Sequence, residues 1–213
     1  MLQSGEGGAQ RAWCFLAMGL LVSMYVSCNR TQDAESGADS ARSQRRTDPP
    51  GVRTEDKVDS MLILHSQAFQ QAGEIPAKYT CQGNDVSPPL SWSGVPTDAK
   101  SLALIVDDPD APDPAAPKRV WVHWVVFNIP PSVSVLPEAV KNLPSPARPG
   151  VNDWQRPLYG GPCPPIGRHR YFFKLYALDV LLALESPTKV DLERAMEGHI
   201  LASTELMGTY QKQ

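Results

Sequence analysis

The chain has 213 residues, and its 20 basic and 23 acidic side chains give a formal net charge of −3. This balance excludes the strongly basic surface typical of nucleic-acid-binding proteins, so no nucleic-acid partner is expected. Hydrophobic residues make up 42% of the chain, which suffices for one packed core and excludes a protein with several membrane spans.

The N-terminal end carries the features of an export signal. Residues 13–26 (WCFLAMGLLVSMYV) form an apolar run that, as a helix, would span about 21 Å, short of the roughly 30 Å hydrocarbon core of a bilayer. The run therefore predicts a signal peptide over residues 1–27 and not a membrane-spanning anchor. Ser27 and Cys28 resemble the bacterial lipobox, in which Cys28 would become the lipidated N-terminus, although Tyr25 stands where that pattern prefers Leu.

Both ways of processing this signal place the mature chain outside the cytosol. With lipid on Cys28, the protein would be a lipoprotein of the bacterial cell envelope, attached to a membrane through this lipid only. Without lipid, it would be soluble in the periplasm or secreted. Residues 28–60 are rich in charge and lack aromatic side chains, so they are expected to form a disordered tether. The folded domain is predicted over residues 61–213.

The folded part begins with strand patterns. Three segments are apolar, β-branched or alternating as buried strands are, namely residues 102–106, 120–129 and 171–180. Two weaker strand candidates are residues 61–65 and 90–92. All but three of the 21 prolines lie between Pro76 and Pro165, which excludes long helices from that interval.

Helical signal appears only after Pro187. Asp191 can cap a helix, and apolar residues then recur near helical spacing; they are Leu192, Ala195, Met196, Ile200, Leu201 and Leu206. Gly198 is expected to divide this region into two helices. Together the elements predict a mainly β fold, a β-sandwich or antiparallel sheet closed off by C-terminal helices.

Polar side chains collect at the predicted strand ends, where loops converge. They form three groups, which are the acidic turn at residues 107–112, His123 within an apolar strand, and the segment at residues 160–171. Taken singly, each group has a purely structural interpretation, as a solvated Asp-Pro turn, a core histidine and a rigid Gly-Pro turn. The last segment also lacks the Gly-Lys-Ser/Thr of a nucleotide-binding loop.

Taken together, the three groups resemble the signature regions of the phosphatidylethanolamine-binding protein family, in its bacterial Raf-kinase-inhibitor-like branch. The matching residues are 100–112, 121–130 and 152–179. The resemblance implies a single domain in which a large antiparallel sheet packs on a smaller one, with a small pocket that takes up anions such as a phosphate headgroup. The pocket residues that it implies are Asp108, His123, Gly161, Pro162, His169 and Tyr171, framed by Asp110 and Trp121. Cys163-Pro164-Pro165 departs from the Gly-rich stretch of eukaryotic members, which leaves the width of the pocket open.

A pocket for a phosphate needs hydrogen-bond donors. The donors available are His123, His169, the Tyr171 hydroxyl and the backbone N–H groups of Gly161 and Cys163. Asp108 would repel an anion. We expect it either to take up a proton and donate to the anion, or to stay charged and hold one histidine as an imidazolium. On either alternative, binding weakens as the pH rises.

These residues predict a non-enzymatic binding protein without a cofactor. Its partners would be a small anionic ligand or a phospholipid headgroup and, if it acts as a regulator or inhibitor, a protein. The alternative is a metal-dependent enzyme in which Asp108, His123 and His169 form a facial triad for Fe or Zn, although no His-Glu-x-x-His spacing supports it. Cys81 and Cys163 remain as an even pair in an oxidising compartment, and they form either a disulfide or two buried free thiols.

Overall fold

A computed structural model describes residues 61–213, so the predicted signal peptide, the tether and Cys28 lie outside the described residues. The elements in chain order are β1 (Ile63–Ser66), a short 3-10 helix (Ala77–Tyr79), β2 (Leu90–Ser93), β3 (Ser101–Asp108), β4 (Trp121–Ile129), β5 (Val135–Leu136), β6 (Arg148–Pro149), β7 (Arg168–Leu178), α1 (Lys189–Met196) and β8 (Ile200–Gln211). No helix in this part of the chain is long and apolar enough to cross a membrane.

The strands form two antiparallel sheets. The small sheet has the order β1-β2-β5 and the large sheet the order β6-β4-β3-β7-β8. Because side chains alternate along a strand, the large sheet presents two apolar faces. Leu104 and Phe173 belong to the core that includes residues of the small sheet, whereas Ala103 and Ile105 belong to the core that includes Leu192 of α1. The predicted mainly β sandwich of a larger and a smaller sheet is confirmed.

The strand predictions are confirmed with shifts of a few residues at their ends. The central strand β3 is buried along its whole length, as its continuous apolar run predicts. In β7, Phe173, Leu175 and Ala177 are buried on one face, while Lys174 and Tyr176 on the other face are only partly buried. The alternation in the sequence therefore placed the two faces of this strand correctly.

The second predicted C-terminal helix is wrong. Ile200, Leu201 and Leu206 lie in β8, which pairs with β7 along its length. The cause is that Ala202, Leu206 and Tyr210 share one face of a strand and reach the core between the sheets, so a period of two explains the apolar residues as well as helical spacing does.

The first predicted helix is present as α1, but its N-cap is Thr188. The Thr188 side chain accepts from the Asp191 N–H, and the Asp191 side chain accepts in return from the Thr188 N–H, which is a capping box. The helix ends before Gly198, whose φ of +78° suits a residue without a Cβ.

Candidate functional site

A cavity of about 320 Å³ lies at one end of the large sheet. At this end β3 finishes while β4 and β7 begin, because β3 is antiparallel to both of them. The antiparallel register sets Asp108 opposite Trp121. Four residues singled out from the sequence line the cavity together, and they are Asp108, Trp121, His123 and His169.

His169 is fully buried, and both of its ring nitrogens face acceptors. Nδ1 lies 2.7 Å from Asp108 Oδ2, and Nε2 lies 3.0 Å from the Ile166 carbonyl oxygen. Because a carbonyl only accepts, Nε2 carries a proton, and a second proton lies between Nδ1 and the carboxylate. The two residues therefore form an imidazolium–carboxylate pair without net charge. This is the second alternative stated above for Asp108, and it leaves His169 no nitrogen for a ligand.

His123 is held by its other ring nitrogen. Its Nδ1 lies 2.6 Å from the Gly160 carbonyl oxygen, so Nδ1 is the donor. Nε2 is buried and has no hydrogen-bond partner within residues 61–213. Burial lowers the pKa of His123, against the smaller opposing effects of the Gly160 carbonyl and the Asp108 carboxylate. The ring is therefore neutral near pH 7, and Nε2 offers a lone pair.

Two further buried polar atoms at this end have no partner among the described residues, the Tyr171 hydroxyl and Trp121 Nε1. The Tyr171 ring meets the His123 ring edge-on at 5.2 Å and stacks on the His169 ring at 6.4 Å. Burial, and then the charge of Asp108, raises the pKa of Tyr171, so its hydroxyl stays protonated. Such groups are rare in folded proteins because each costs about 1–3 kcal/mol.

Trp154 also lines the cavity, and the sequence reasoning did not single it out. Its ring makes edge contacts with Trp121 and with His123, both at 5.2 Å. The buried Asn152 holds the loop, because its Oδ1 accepts from the N–H groups of Trp154 and Arg156. A tryptophan in a loop has no periodic pattern; only its place within the matched residues 152–179 pointed to it.

Gly161 and Pro162 do not line the cavity. The Gly161 N–H donates to Asp85 Oδ1 at 2.6 Å, so this predicted anion donor is already engaged. The Pro162 carbonyl accepts from the Cys81 N–H at 3.1 Å. Cys163, the next residue, does line the cavity and is joined to Cys81 by a disulfide. The Gly-Pro loop is therefore fixed to the segment that contains Cys81 and Asp85.

Asp110 frames the site from outside the cavity. Its carboxylate accepts from the Arg170 guanidinium at 2.7 and 2.9 Å and from the Arg170 backbone N–H at 2.9 Å. The Arg170 hydrogen bonds hold the pKa of Asp110 below its ordinary value. Arg170 is exposed while its neighbour His169 is buried, as the alternation of β7 predicts, so Arg170 belongs to a salt-bridged face.

The metal-enzyme alternative has no complete ligand set in the described part of the chain. No group of three His, Cys, Asp or Glu side chains is placed there to hold a metal ion. Both nitrogens of His169 and one of His123 are already engaged with protein acceptors. Of the ring nitrogens in the predicted triad, only His123 Nε2 is free to bind anything else.

Comparisons with known proteins point to one family. The family model described as phosphatidylethanolamine-binding protein matches residues 65–211. A UPF0098 protein of Methanothermobacter thermautotrophicus is 53% identical over 155 residues, which are 71% of this chain and 99% of that protein. The crystal structure of a putative phosphatidylethanolamine-binding protein homologue from Chlamydia trachomatis has 49% identity and a TM-score of 0.67, covering 72% of this chain and 99% of that one. Escherichia coli YbcL has 31% identity and a TM-score of 0.65, with 71% and 99% covered.

Proposed function

Because the chain belongs to the phosphatidylethanolamine-binding protein family, we propose that the cavity beside His123 binds a phosphate-type anion, carried by a small molecule or a phospholipid headgroup. The observation that carries this proposal is the set of three buried polar atoms without partners, namely Trp121 Nε1, His123 Nε2 and the Tyr171 hydroxyl. A phosphate group has several oxygens within a small radius, so one ligand can satisfy all three atoms.

The charges around the cavity are compatible with an anion. Asp108 is neutralised by His169 at 2.7 Å, and Asp110 by Arg170 at 2.7 Å. Repulsion between the acidic turn and a bound phosphate is therefore small. The aromatic walls formed by Trp121 and Trp154 exclude water from one side of the ligand, which strengthens the remaining hydrogen bonds.

The proposal is binding and not catalysis. The three free groups are two donors and one acceptor, and none of them is a nucleophile held against a base. Tyr171 is an unsuitable nucleophile because its raised pKa keeps the hydroxyl protonated.

Isothermal titration calorimetry of the full chain with O-phosphoethanolamine tests this proposal. Tyr171→Phe keeps the ring packing and removes one donor to the anion, so we expect Kd to rise at least tenfold, as for the loss of a hydrogen bond to a charged group of about 1.5–3 kcal/mol. The matched control is Tyr210→Phe, which removes a buried tyrosine's hydrogen bond to Gln82 outside the cavity and should leave Kd unchanged. Absence of binding by the unmodified chain, or equal Kd values in the two variants, contradicts the proposal.

We also propose that the protein is exported and lipidated at Cys28. The disulfide between Cys81 and Cys163 supports this location, because disulfides persist mainly in oxidising compartments. Labelled fatty acid should be incorporated into the unmodified chain and not into Cys28→Ala. Equal labelling of both chains, or labelling of neither, would contradict lipidation at this residue.

A further inference from the structure

The hydrogen bonding of His123 restricts the kind of anion that the cavity accepts. Nδ1–H donates to the Gly160 carbonyl at 2.6 Å, so in the neutral ring Nε2 carries no proton. Nε2 is also the ring nitrogen without a partner. A ligand that brings an acidic proton can donate it to Nε2. A ligand without one presents only oxygen lone pairs, and the ring must first take a proton from solvent.

We propose that His123 makes the cavity prefer a phosphate monoester in its singly protonated form over a phosphodiester. This inference rests on the proposed function and names the ligand class for the same cavity. In the preferred complex the P–OH group donates to His123 Nε2, and other phosphate oxygens accept from the Tyr171 hydroxyl and from Trp121 Nε1. The phosphodiester of a phospholipid headgroup has no P–OH and needs a proton on His123 instead.

The surroundings of His123 oppose its protonation. Burial lowers the pKa of the ring. The titratable and charged groups that face it are Asp107 and Asp108 on β3, His169 and Tyr171 on β7, and Asp153 and Arg156 in the loop after β6. Each charged member of this set already has a partner, since Asp107 holds Lys174 and Lys189, Asp108 holds His169, Asp153 holds Arg119 and Arg156 holds Asp85. No unpaired carboxylate of this set is left to stabilise an imidazolium at residue 123.

The two ligand classes therefore differ in the protons that they take up on binding. A phosphate monoester has its second ionisation near pH 6, so at about pH 5.5 it is mostly the monoanion already and binding needs few protons from solvent. Its affinity should be nearly constant below about pH 6 and fall about tenfold per pH unit above it. A diester should take up about one proton per molecule bound, and its affinity should fall about tenfold per unit from about pH 5.5 upward.

Calorimetry of the full chain with O-phosphoethanolamine and with glycerophosphoethanolamine tests this difference. The two probes share the ethanolamine group and differ in the second ester bond. Titrations in buffers of different ionisation enthalpy give the proton uptake together with Kd. At about pH 5.5 we expect an uptake of roughly 0.2 protons for the monoester and close to one for the diester, with the monoester bound at least tenfold more tightly.

Two substitutions of His123 separate the roles of its nitrogens. His123→Gln places an amide near the position of Nε2 that can donate without titrating, so the diester should bind without proton uptake and its disadvantage should largely disappear. His123→Asn keeps a donor near the position of Nδ1 for Gly160 and removes the group at Nε2, so it should weaken both probes to a similar degree. Circular dichroism of both variants checks that they are folded.

The outcomes distinguish this inference from the function on which it rests. Binding of neither probe at any pH overturns the proposed function and this inference with it. Binding of both probes at about pH 5.5 with the same proton uptake and similar Kd values overturns only the inference. The same holds if the diester binds more tightly than the monoester there without proton uptake, because Nε2 then cannot be the atom that discriminates.

Discussion

Substitution of Asp108 by alanine removes two interactions of one buried carboxylate. Oδ2 no longer holds His169 Nδ1 at 2.7 Å, and Oδ1 no longer accepts from the Asp110 N–H at 2.8 Å. Asp108 is 4% and His169 0% exposed, so water cannot replace the carboxylate freely. Loss of one partner from a buried ion pair costs about 3–5 kcal/mol, and an unsatisfied buried N–H costs about 1–3 kcal/mol. Because His169 can limit the loss by releasing its Nδ1 proton, we expect a total of about 3–5 kcal/mol.

Asp108→Asn provides the matched control. Its Oδ1 can still accept from the Asp110 N–H, and its Nδ2 can donate to Nδ1 of a neutral His169. The Nε2–H of His169 would remain on the Ile166 carbonyl, as in the unmodified protein. All buried polar groups then keep a partner, so we expect a loss of at most about 1.5 kcal/mol.

Urea unfolding followed by tryptophan fluorescence measures both variants, with the free energies obtained by linear extrapolation. For a domain of this size, each 1 kcal/mol corresponds to about 2–4 °C in Tm, so Asp108→Ala should lower Tm by about 6–20 °C. Equal losses in Asp108→Ala and Asp108→Asn would refute the argument from hydrogen bonding. An alanine variant within about 1 kcal/mol of the unmodified protein would show that the pair does not stabilise the fold.

Three further predictions concern the loops and the histidine of the site. Joint replacement of Cys81 and Cys163 by Ser removes a cross-link across a sequence separation of 82, which the chain-entropy treatment values at about 4.5 kcal/mol; an unchanged urea midpoint would contradict it. Gly161→Ala places a Cβ against the Tyr79 carbonyl oxygen and should cost about 3 kcal/mol. Ala at Gly198, which has no atom within 4 Å, bears only the strain of its positive φ, about 1 kcal/mol, so equal unfolding free energies of the two variants would rule out the steric cause. In the ligand-free protein the lowered pKa of His123 means that the unfolded chain takes up this proton first, so the free energy of unfolding should fall as pH drops below about 6.5. His123→Gln should flatten this dependence, and an unchanged pH profile would contradict the assignment.

The strands were predictable because burial on one or both faces dictates their composition. Residues 102–106 lie within β3, which has an apolar core on each of its faces, so an unbroken apolar run is the only pattern that fits. The C-terminal error has the opposite origin. Leu206 and its neighbours satisfy two periods at once, and only the long pairing of β8 with β7 decides between them. A partner strand 30 or so residues earlier leaves no trace in a local window.

The site was predictable in its location and not in its hydrogen bonds. Strand ends and the family resemblance together identified Asp108, His123 and His169 as neighbours. The Gly161 N–H, in contrast, is occupied by Asp85, which is 76 residues away in the chain. Likewise, the engagement of both His169 nitrogens depends on the Ile166 carbonyl. Backbone atoms are the same in every sequence, so contacts to them carry no sequence signal.

The acidic turn that ends β3 explains why a binding site for an anion can contain so many carboxylates. Alternation along the strand directs Asp107 toward Lys174 and Lys189, at 2.9 and 2.6 Å, while Asp108 faces the cavity and pairs with His169. With Asp110 held by Arg170, every carboxylate of the turn has a cation within hydrogen-bonding distance, and opposite charges this close largely cancel at the distance of a ligand. The carboxylates therefore act on an anion through their partners. They fix the orientation of cationic side chains and backbone N–H groups around the cavity, and the ligand contacts are left to the uncharged atoms of Trp121, His123 and Tyr171.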